Sequence, residues 1–434
     1  MRAMRQSHTS HVTQSSFPQS SQSLRPLQSS HRGVVPRQLK ALTSLAVSAL
    51  MGAAIVGWSS VSVDAQGQQE LAPGVTYEAF DVQTPRGAAH AHVVAVDLAH
   101  PKVSVNLLYP GHVAERQPLS AMANERQAVA AVNGDFFNIS NTHPGVAPTD
   151  APVGPAIASL LHLKGAVPTA QRFGPSLPAG ATVEDVIGVG IDRKGRLGRL
   201  VLQGIVLTRG TRYELRGVNQ YAIAQNGIGA FNALWGVKNR KRATCGTDTR
   251  REDPCSTNVH EVVVRRGRVS AINAEPGEGE IAWDTVVLVG REGGADELRQ
   301  LQIGDPVFVG YYLASSEQVP FWFAVGGQPI VRDGAAVAGM NNTTAATRSA
   351  AGVSADGRTL YLVSLDRNAP GMTYVELANL LLSVGAAAGV NLDGGGSSTL
   401  VTRDPGAATV TIKNLLPGDF ERPVPNGIGV FARP

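Results

Sequence analysis

The sequence predicts a mixed α+β (α/β) fold: a sheet holding a βαβ unit near the C-terminus, plus a β-rich middle region. Three observations lead there. A capped, helix-periodic segment at 373–382 lies between two short β-favouring runs. Apolar β-type runs separated by Gly, Asp and Asn turns fill much of 187–313. A trio of glycines, Gly394, Gly395 and Gly396, follows the last strand of the βαβ unit.

The helix is marked at both ends. Thr373 with Glu376 makes a capping box; Leu377, Leu380, Leu381 and Val384 repeat at helical spacing; Gly385 stands where a helix C′ residue belongs. Thr359–Leu365 precedes it and 388–392 follows it, both apolar and strand-like. Such a unit crosses over right-handed and leaves its strands parallel. If these strands are neighbours, Asp366 and Asp393 share their carboxyl ends, where open α/β sheets hold ligands. Three glycines in a row cost much backbone entropy, which points to close backbone approach and to amides free to form an anion-binding nest. Asp393 on one side, with Ser397 and Ser398 on the other, adds charge and hydroxyls. Alone, the glycine run is equally a tight turn; its place after the βαβ unit favours a site.

A similar construction occurs earlier. A short helix at 119–127, with Ser120 near its start, leads into the apolar run 128–132 and then Asn133-Gly134-Asp135-Phe136-Phe137. The paired phenylalanines read as core anchors. Asn133 and Asp135 on their own suit an Asx turn.

Four segments in order carry a family resemblance: Asn133 to Phe137; Gly326-Gly327-Gln328-Pro329-Ile330-Val331-Arg332-Asp333-Gly334; Arg348-Ser349-Ala350-Ala351-Gly352; and Asn391 to Thr399. Together they resemble the phosphodiester glycosidases, in the form of an exported bacterial member. The likeness is densest over 324–401 and thinner from Pro73 to the C-terminus. The family's R-T-A-x-G becomes Arg348-Ser349-Ala350-Ala351-Gly352, and the span 155–319 is long enough to be a β-rich insertion or scaffold. These departures bear on substrate identity.

The first 63 residues contain no acidic residue and many Ser, Gln and His, so they cannot build a core. Arg32, Arg37 and Lys40 lead into an apolar stretch at 41–58, and Val63-Asp64-Ala65 offers a cleavage position. Residues 1–65 therefore read as an export signal with an overlong n-region, or else an uncleaved membrane anchor; 66–434 is then the catalytic domain. Residues 1–65 carry a net charge of +5, which leaves about −1 for the remainder of a chain of net +4. The basic pI thus gives no support to nucleic acid binding. In an exported chain, Cys245 and Cys255 are expected to form a disulfide across a polar loop. Lys238, Arg240, Lys241, Arg242, Arg250 and Arg251 flank that loop, as a solvated face or a contact for an anionic wall polymer.

The resemblance implies a secreted hydrolase that cuts between an anomeric carbon and phosphate in a glycosyl phosphodiester of the GlcNAc-1-phosphodiester kind. An oxocarbenium-like transition state needs a carboxylate, and the departing phosphate needs anion stabilisation more than acid help. Asp393 is expected to act as base or nucleophile, with Asp135 as the second carboxylate. Arg348 is the expected phosphate clamp. Asn133 and Gly134 would orient sugar hydroxyls; Gly394, Gly395, Gly396, Ser397 and Ser398 would donate to sugar or phosphate. Asp366, equally suited to an ion pair with Arg367, and Arg422 complete the candidates. His143 reads as a surface histidine. No cofactor is required, although the oxygens of Asp135 and Asp393 suit Ca²⁺ or Mg²⁺. The other readings are an exopolysaccharide or cell-wall glycan hydrolase and a non-catalytic glycan-binding protein. A Ser-His-Asp esterase is disfavoured by the missing G-x-S-x-G.

Overall fold

Strand-forming sequence dominates the computed structural model, which describes residues 65–140, 143–416 and 418–433. These belong to one compact unit, 60–434. The export-signal segment lies almost wholly outside the described residues. Among the described residues no helix is long and apolar enough to cross a membrane.

The strands form three sheets. The first runs in the order Ala65–Ala72, Val75–Thr84, Gly87–Asp97, Thr359–Leu365, Ser349–Val353, Ala388–Asn391, Gln328–Arg332, Ala335–Ala336. The second contains most of the middle region, including Asp185–Gly190, Gly195–Thr208, Val259–Arg265, Thr285–Arg291 and Phe308–Ser315, close to the strands expected there. It also takes in Phe321–Gly326. The third is small and joins Thr411–Ile412, Leu400–Thr402, Ala130–Asn133, Gly427–Ala432 and Val103–Leu108. Val94, Leu362 and Val390 of the first sheet, Ile187 and Val325 of the second, and Val132 and Ile428 of the third share one core.

The helix appears as Tyr374–Ser383, with its capping box intact: the Thr373 hydroxyl accepts from the Glu376 amide, and the Glu376 carboxylate accepts from the Thr373 amide at 2.8 Å. Its apolar stripe, Leu377, Leu380 and Leu381, packs on Val93, Val363, Ala350 and Ile330.

One expectation changes. Thr359–Leu365 and Ala388–Asn391 are not neighbours, because Ser349–Val353 lies between them and pairs antiparallel with both. They remain parallel to each other, so Asp366 and Asp393 still follow the same ends, one strand further apart. The intervening strand is made of small residues for a steric reason. A Cβ on Gly352 would stand 2.8 Å from the Cβ of Ala386, directly beneath the helix.

Candidate active site

The site forms where the loops after Ala130–Asn133 and Ala388–Asn391 meet. Asn133 is fully buried and straps them together: its amide group donates to the Asp393 carbonyl at 2.7 Å, and its side-chain oxygen accepts from the Thr399 amide at 3.1 Å. The Asp393 amide donates to the Gly134 carbonyl at 2.9 Å. Asn426, just before the closing strand, accepts from the Asp135 amide on its side-chain oxygen at 3.0 Å and from the Gly134 amide on its carbonyl at 2.9 Å. Three distant stretches are thus locked by backbone-directed hydrogen bonds, which bring the loops carrying Asp135 and Asp393 together.

Asp393 is partly exposed, and its Oδ1 accepts from the Gly394 amide at 3.0 Å. Burial pushes its pKa up to about 6; Asp135 adds to the rise, while the Ser397 hydroxyl, the Gly394 amide and Arg422 oppose it. Asp135 is buried, with Oδ2 accepting from the Gly154 amide at 2.5 Å. Burial raises its pKa against the Gly154 amide, Lys164, Arg172 and the Phe136 amide. The Lys164 ammonium donates to the other side of that Val153–Gly154 peptide, the Val153 carbonyl, at 3.2 Å, and to the carbonyls of Gly154 and Gly165, each at 2.5 Å. Burial brings this lysine down to about 7, opposed by Asp135. A charged carboxylate and a charged amine are costly here separately and tolerable together.

Cations surround the pair. Arg172 lies 5.8 Å from the Phe136 ring centre, lines a shallow groove with Thr169, Gly174 and Ser176, and has a buried Nε without a hydrogen-bond partner. Arg422 donates to the Ser397 hydroxyl at 3.3 Å, and its guanidinium occupies the space where a side chain on Gly396 would go. Gly395 has φ +58°, a conformation that explains glycine there.

Several expected roles change. Arg348 is buried and committed to the protein: it donates to the Met372 carbonyl at 3.1 Å, the Tyr374 hydroxyl at 2.8 Å and the Thr344 carbonyl at 3.1 Å, and stacks 4.0 Å from the Tyr374 ring centre. It builds the wall on which Tyr374 sits. The Gly394 and Gly395 amides are spent inside the loop, on Asp393 and the Thr347 carbonyl, so they form no open nest. Ser397 and Ser398 are buried, and the Ser398 hydroxyl has no partner. Asp366 pairs with His92 at 2.8 Å rather than with Arg367, which instead donates to the carbonyls of Phe420, Gly396 and Ser398. His143 is buried against the disulfide loop, with Nε2 2.9 Å from the Asp253 carbonyl.

Cys245 and Cys255 are disulfide-bonded. Most of the basic flanks of that loop are engaged internally, although Arg240 Nη1 and Arg242 Nε keep no partner. Arg240 makes a buried two-point pair with Glu261 at 2.8 and 3.2 Å; Arg242 donates to Gln171 at 3.1 Å; Lys238 pairs with Asp150 at 2.9 Å and Arg251 with Glu252 at 3.0 Å. This is scaffold rather than an anion-binding face. Among the described residues, Asp135 and Asp393 form no cluster with a third His, Cys or acidic ligand tight enough for a cation.

Sequence reasoning missed Arg172, Lys164 and Tyr374. Tyr374 carried a signal as the first residue after a helix cap. Arg172 and Lys164 carried none, since their partners are brought in by other strands.

Residues 258–431 match the sequence model of the phosphodiester glycosidase family. No curated protein sequence matches the chain. Its fold is similar to that of a hypothetical protein from Synechocystis (TM-score 0.65, 22% identity, 86% of this chain and 64% of that one). This chain thus spans less than two thirds of the Synechocystis protein. It is also similar to a Burkholderia pseudomallei protein classed provisionally as exported (TM-score 0.64, 17% identity, 87% and 98%). A weaker likeness, with TM-score 0.38 and 15% identity over 86% and 88%, is to the catalytic domain of zebrafish N-acetylglucosamine-1-phosphodiester alpha-N-acetylglucosaminidase, auto-inhibited by its pro-peptide.

Proposed function

We propose that this chain, whose residues 258–431 carry the phosphodiester glycosidase sequence signature, hydrolyses the bond between an anomeric sugar carbon and phosphate in an extracytoplasmic glycosyl phosphodiester. The observation that carries the reading is the pairing of Asp393 and Asp135 in contrasting surroundings, one reachable from solvent and one buried, with Arg172 and Arg422 around them.

Asp393, ionised above about pH 6, attacks the anomeric carbon or takes a proton from the water that does. As the bond to phosphate breaks, negative charge grows on the phosphate oxygen. Arg172, with its unpartnered Nε, and Arg422, held by one long hydrogen bond, have donors to spare for it. Asp135, fixed by the Gly154 amide, shapes the field at Asp393. Arg348 holds Tyr374 as a wall of the site. The disulfide fits an oxidising compartment.

The test is release of free GlcNAc from GlcNAc-1-phospho-6-mannose by the purified chain and by Asp393→Asn. The reading expects turnover with a rising pH limb centred near 6 and its loss in the variant. Equal release by both would remove Asp393 from the mechanism. Release only from phosphate-free glycans would replace the phosphodiester by an ordinary glycoside.

A further inference from the structure

Away from the Asp393 site, three adjacent strands of the first sheet collect polar side chains on one face. His90 and His92 are two apart on Gly87–Asp97, so they point the same way. Asp81 lies opposite His90 on Val75–Thr84. Asp366 follows Thr359–Leu365, and its amide donates to the His90 carbonyl at 3.0 Å, which continues the ladder. One ligand atom from each of His90, His92 and Asp366 lies within 4.8 Å of the others.

We propose that His90, His92 and Asp366 form a binding site for one divalent transition-metal ion, Zn²⁺ being the best match. Two imidazoles and a carboxylate, with a fourth position left to water or a ligand, are a donor set Zn²⁺ accepts. The outer contacts already suit it. The Nδ1 of His90 lies 2.7 Å from an Asp81 carboxylate oxygen, and the Nδ1 of His92 lies 2.8 Å from the Tyr77 hydroxyl. Both rings are therefore oriented through Nδ1, the arrangement that second partners impose on metal-bound histidines. His92 Nε2 already stands 2.8 Å from Asp366 Oδ1. Tetrahedral ligands about 2.0–2.1 Å from one ion are roughly 3.3 Å apart, so an ion needs an opening of about half an ångström. The nearby cation Lys413 is engaged elsewhere, 3.4 Å from Asp404 and 5.3 Å from the Tyr77 ring centre.

Position gives the site a consequence. Asp366 is followed by Arg367, which grips the carbonyls of Gly396 and Ser398. An ion at Asp366 would stiffen the support of the glycine loop without entering it.

The purified chain, stripped by a chelator and dialysed, would be titrated with Zn²⁺ against a chromophoric competitor and with Co²⁺ by visible absorption. The expected result is one site of micromolar or tighter affinity and a Co²⁺ spectrum of four-coordinate intensity. His90→Gln and Asp366→Asn should each weaken Zn²⁺ at least 10-fold with circular dichroism unchanged. Tyr77→Phe should weaken it about 10-fold through the outer contact alone. Absence of stoichiometric binding would overturn the proposal. So would wild-type affinity retained in both His90→Gln and Asp366→Asn, which would assign the metal to histidines elsewhere, such as His8, His11 and His31.

Discussion

The disulfide loop and the glycine loop are both rich in charge and in turn residues, yet their cations are paired differently. Around Cys245 and Cys255, arginines and lysines are met by carboxylates and carbonyls: Arg240 by Glu261, Arg251 by Glu252, Lys238 by Asp150. Around Asp393, Arg172 has a buried Nε with no partner and Arg422 holds only a 3.3 Å bond to Ser397. A cation paired with a carboxylate is neutralised within the fold; one without such a partner has charge left for an anionic ligand. Arg240 Nη1 and Arg242 Nε are unpartnered as well, so the difference between scaffold and site is one of carboxylate pairing: Arg240, Arg251 and Lys238 are neutralised by ion pairs, and among the described residues Arg172 and Arg422 are not.

The largest effect that could break this contrast is on turnover. Asp393→Asn should lower kcat/KM for a glycosyl phosphodiester by about 10³-fold, the scale of losing a positioned carboxylate. On the scaffold side, Glu261→Ala leaves Arg240 buried and unpaired and also strips acceptors from Asn273 and the Gly277 amide. Its expected cost is about 3–5 kcal/mol in urea unfolding. Next comes Arg172→Ala, expected to cost about 10²-fold in kcat/KM for a phosphate-bearing substrate by removing a charged donor. Arg250→Ala, on the exposed disulfide loop, should leave the same rate within twofold. Equal losses in the two arginine variants would erase the distinction between the loops.

The smallest effect is in stability. Folded Asp393 holds its proton up to about pH 6, whereas an unfolded aspartate releases it near 4. The folded state therefore binds more protons between those values, and this contribution favours folding at low pH and is lost as pH rises through 6. Asp393→Asn removes the burial penalty of the charged form. Its Tm should exceed that of the parent by a few degrees at pH 7.5, and the gap should close towards pH 4. A gap independent of pH would mean that the carboxylate is not strained by burial.

The legible parts were those written in contiguous residues. Thr373, Glu376 and the leucines of one stripe specify a helix without help from the rest of the chain, and the structure differs there by one residue at each end. The β runs of the middle region were readable from their alternation and turns. Ser349–Val353 was not, because a strand made of Ser, Ala and Gly has no β-type signature of its own. Only the helix above it explains its smallness. Arg348 misled for a related reason: a motif arginine looks like a ligand clamp until its acceptors, Met372, Tyr374 and Thr344, are in place. The His90-x-His92 pair was visible in the sequence, but two histidines on a strand mean little until another strand brings Asp366 beside them.

By itself, then, the sequence determined the helix and its caps, most strands, the disulfide partners and the two loops in which carboxylates gather. These follow from local conformational preference and from patterns a few residues long. The tertiary structure alone decided which of those carboxylates meet, which arginines lack a carboxylate partner, and that Lys164 lies across the Val153–Gly154 peptide from Asp135. Such facts depend on contacts between residues far apart in the chain, and on burial, which converts ordinary side chains into groups with altered charge. No local pattern encodes either.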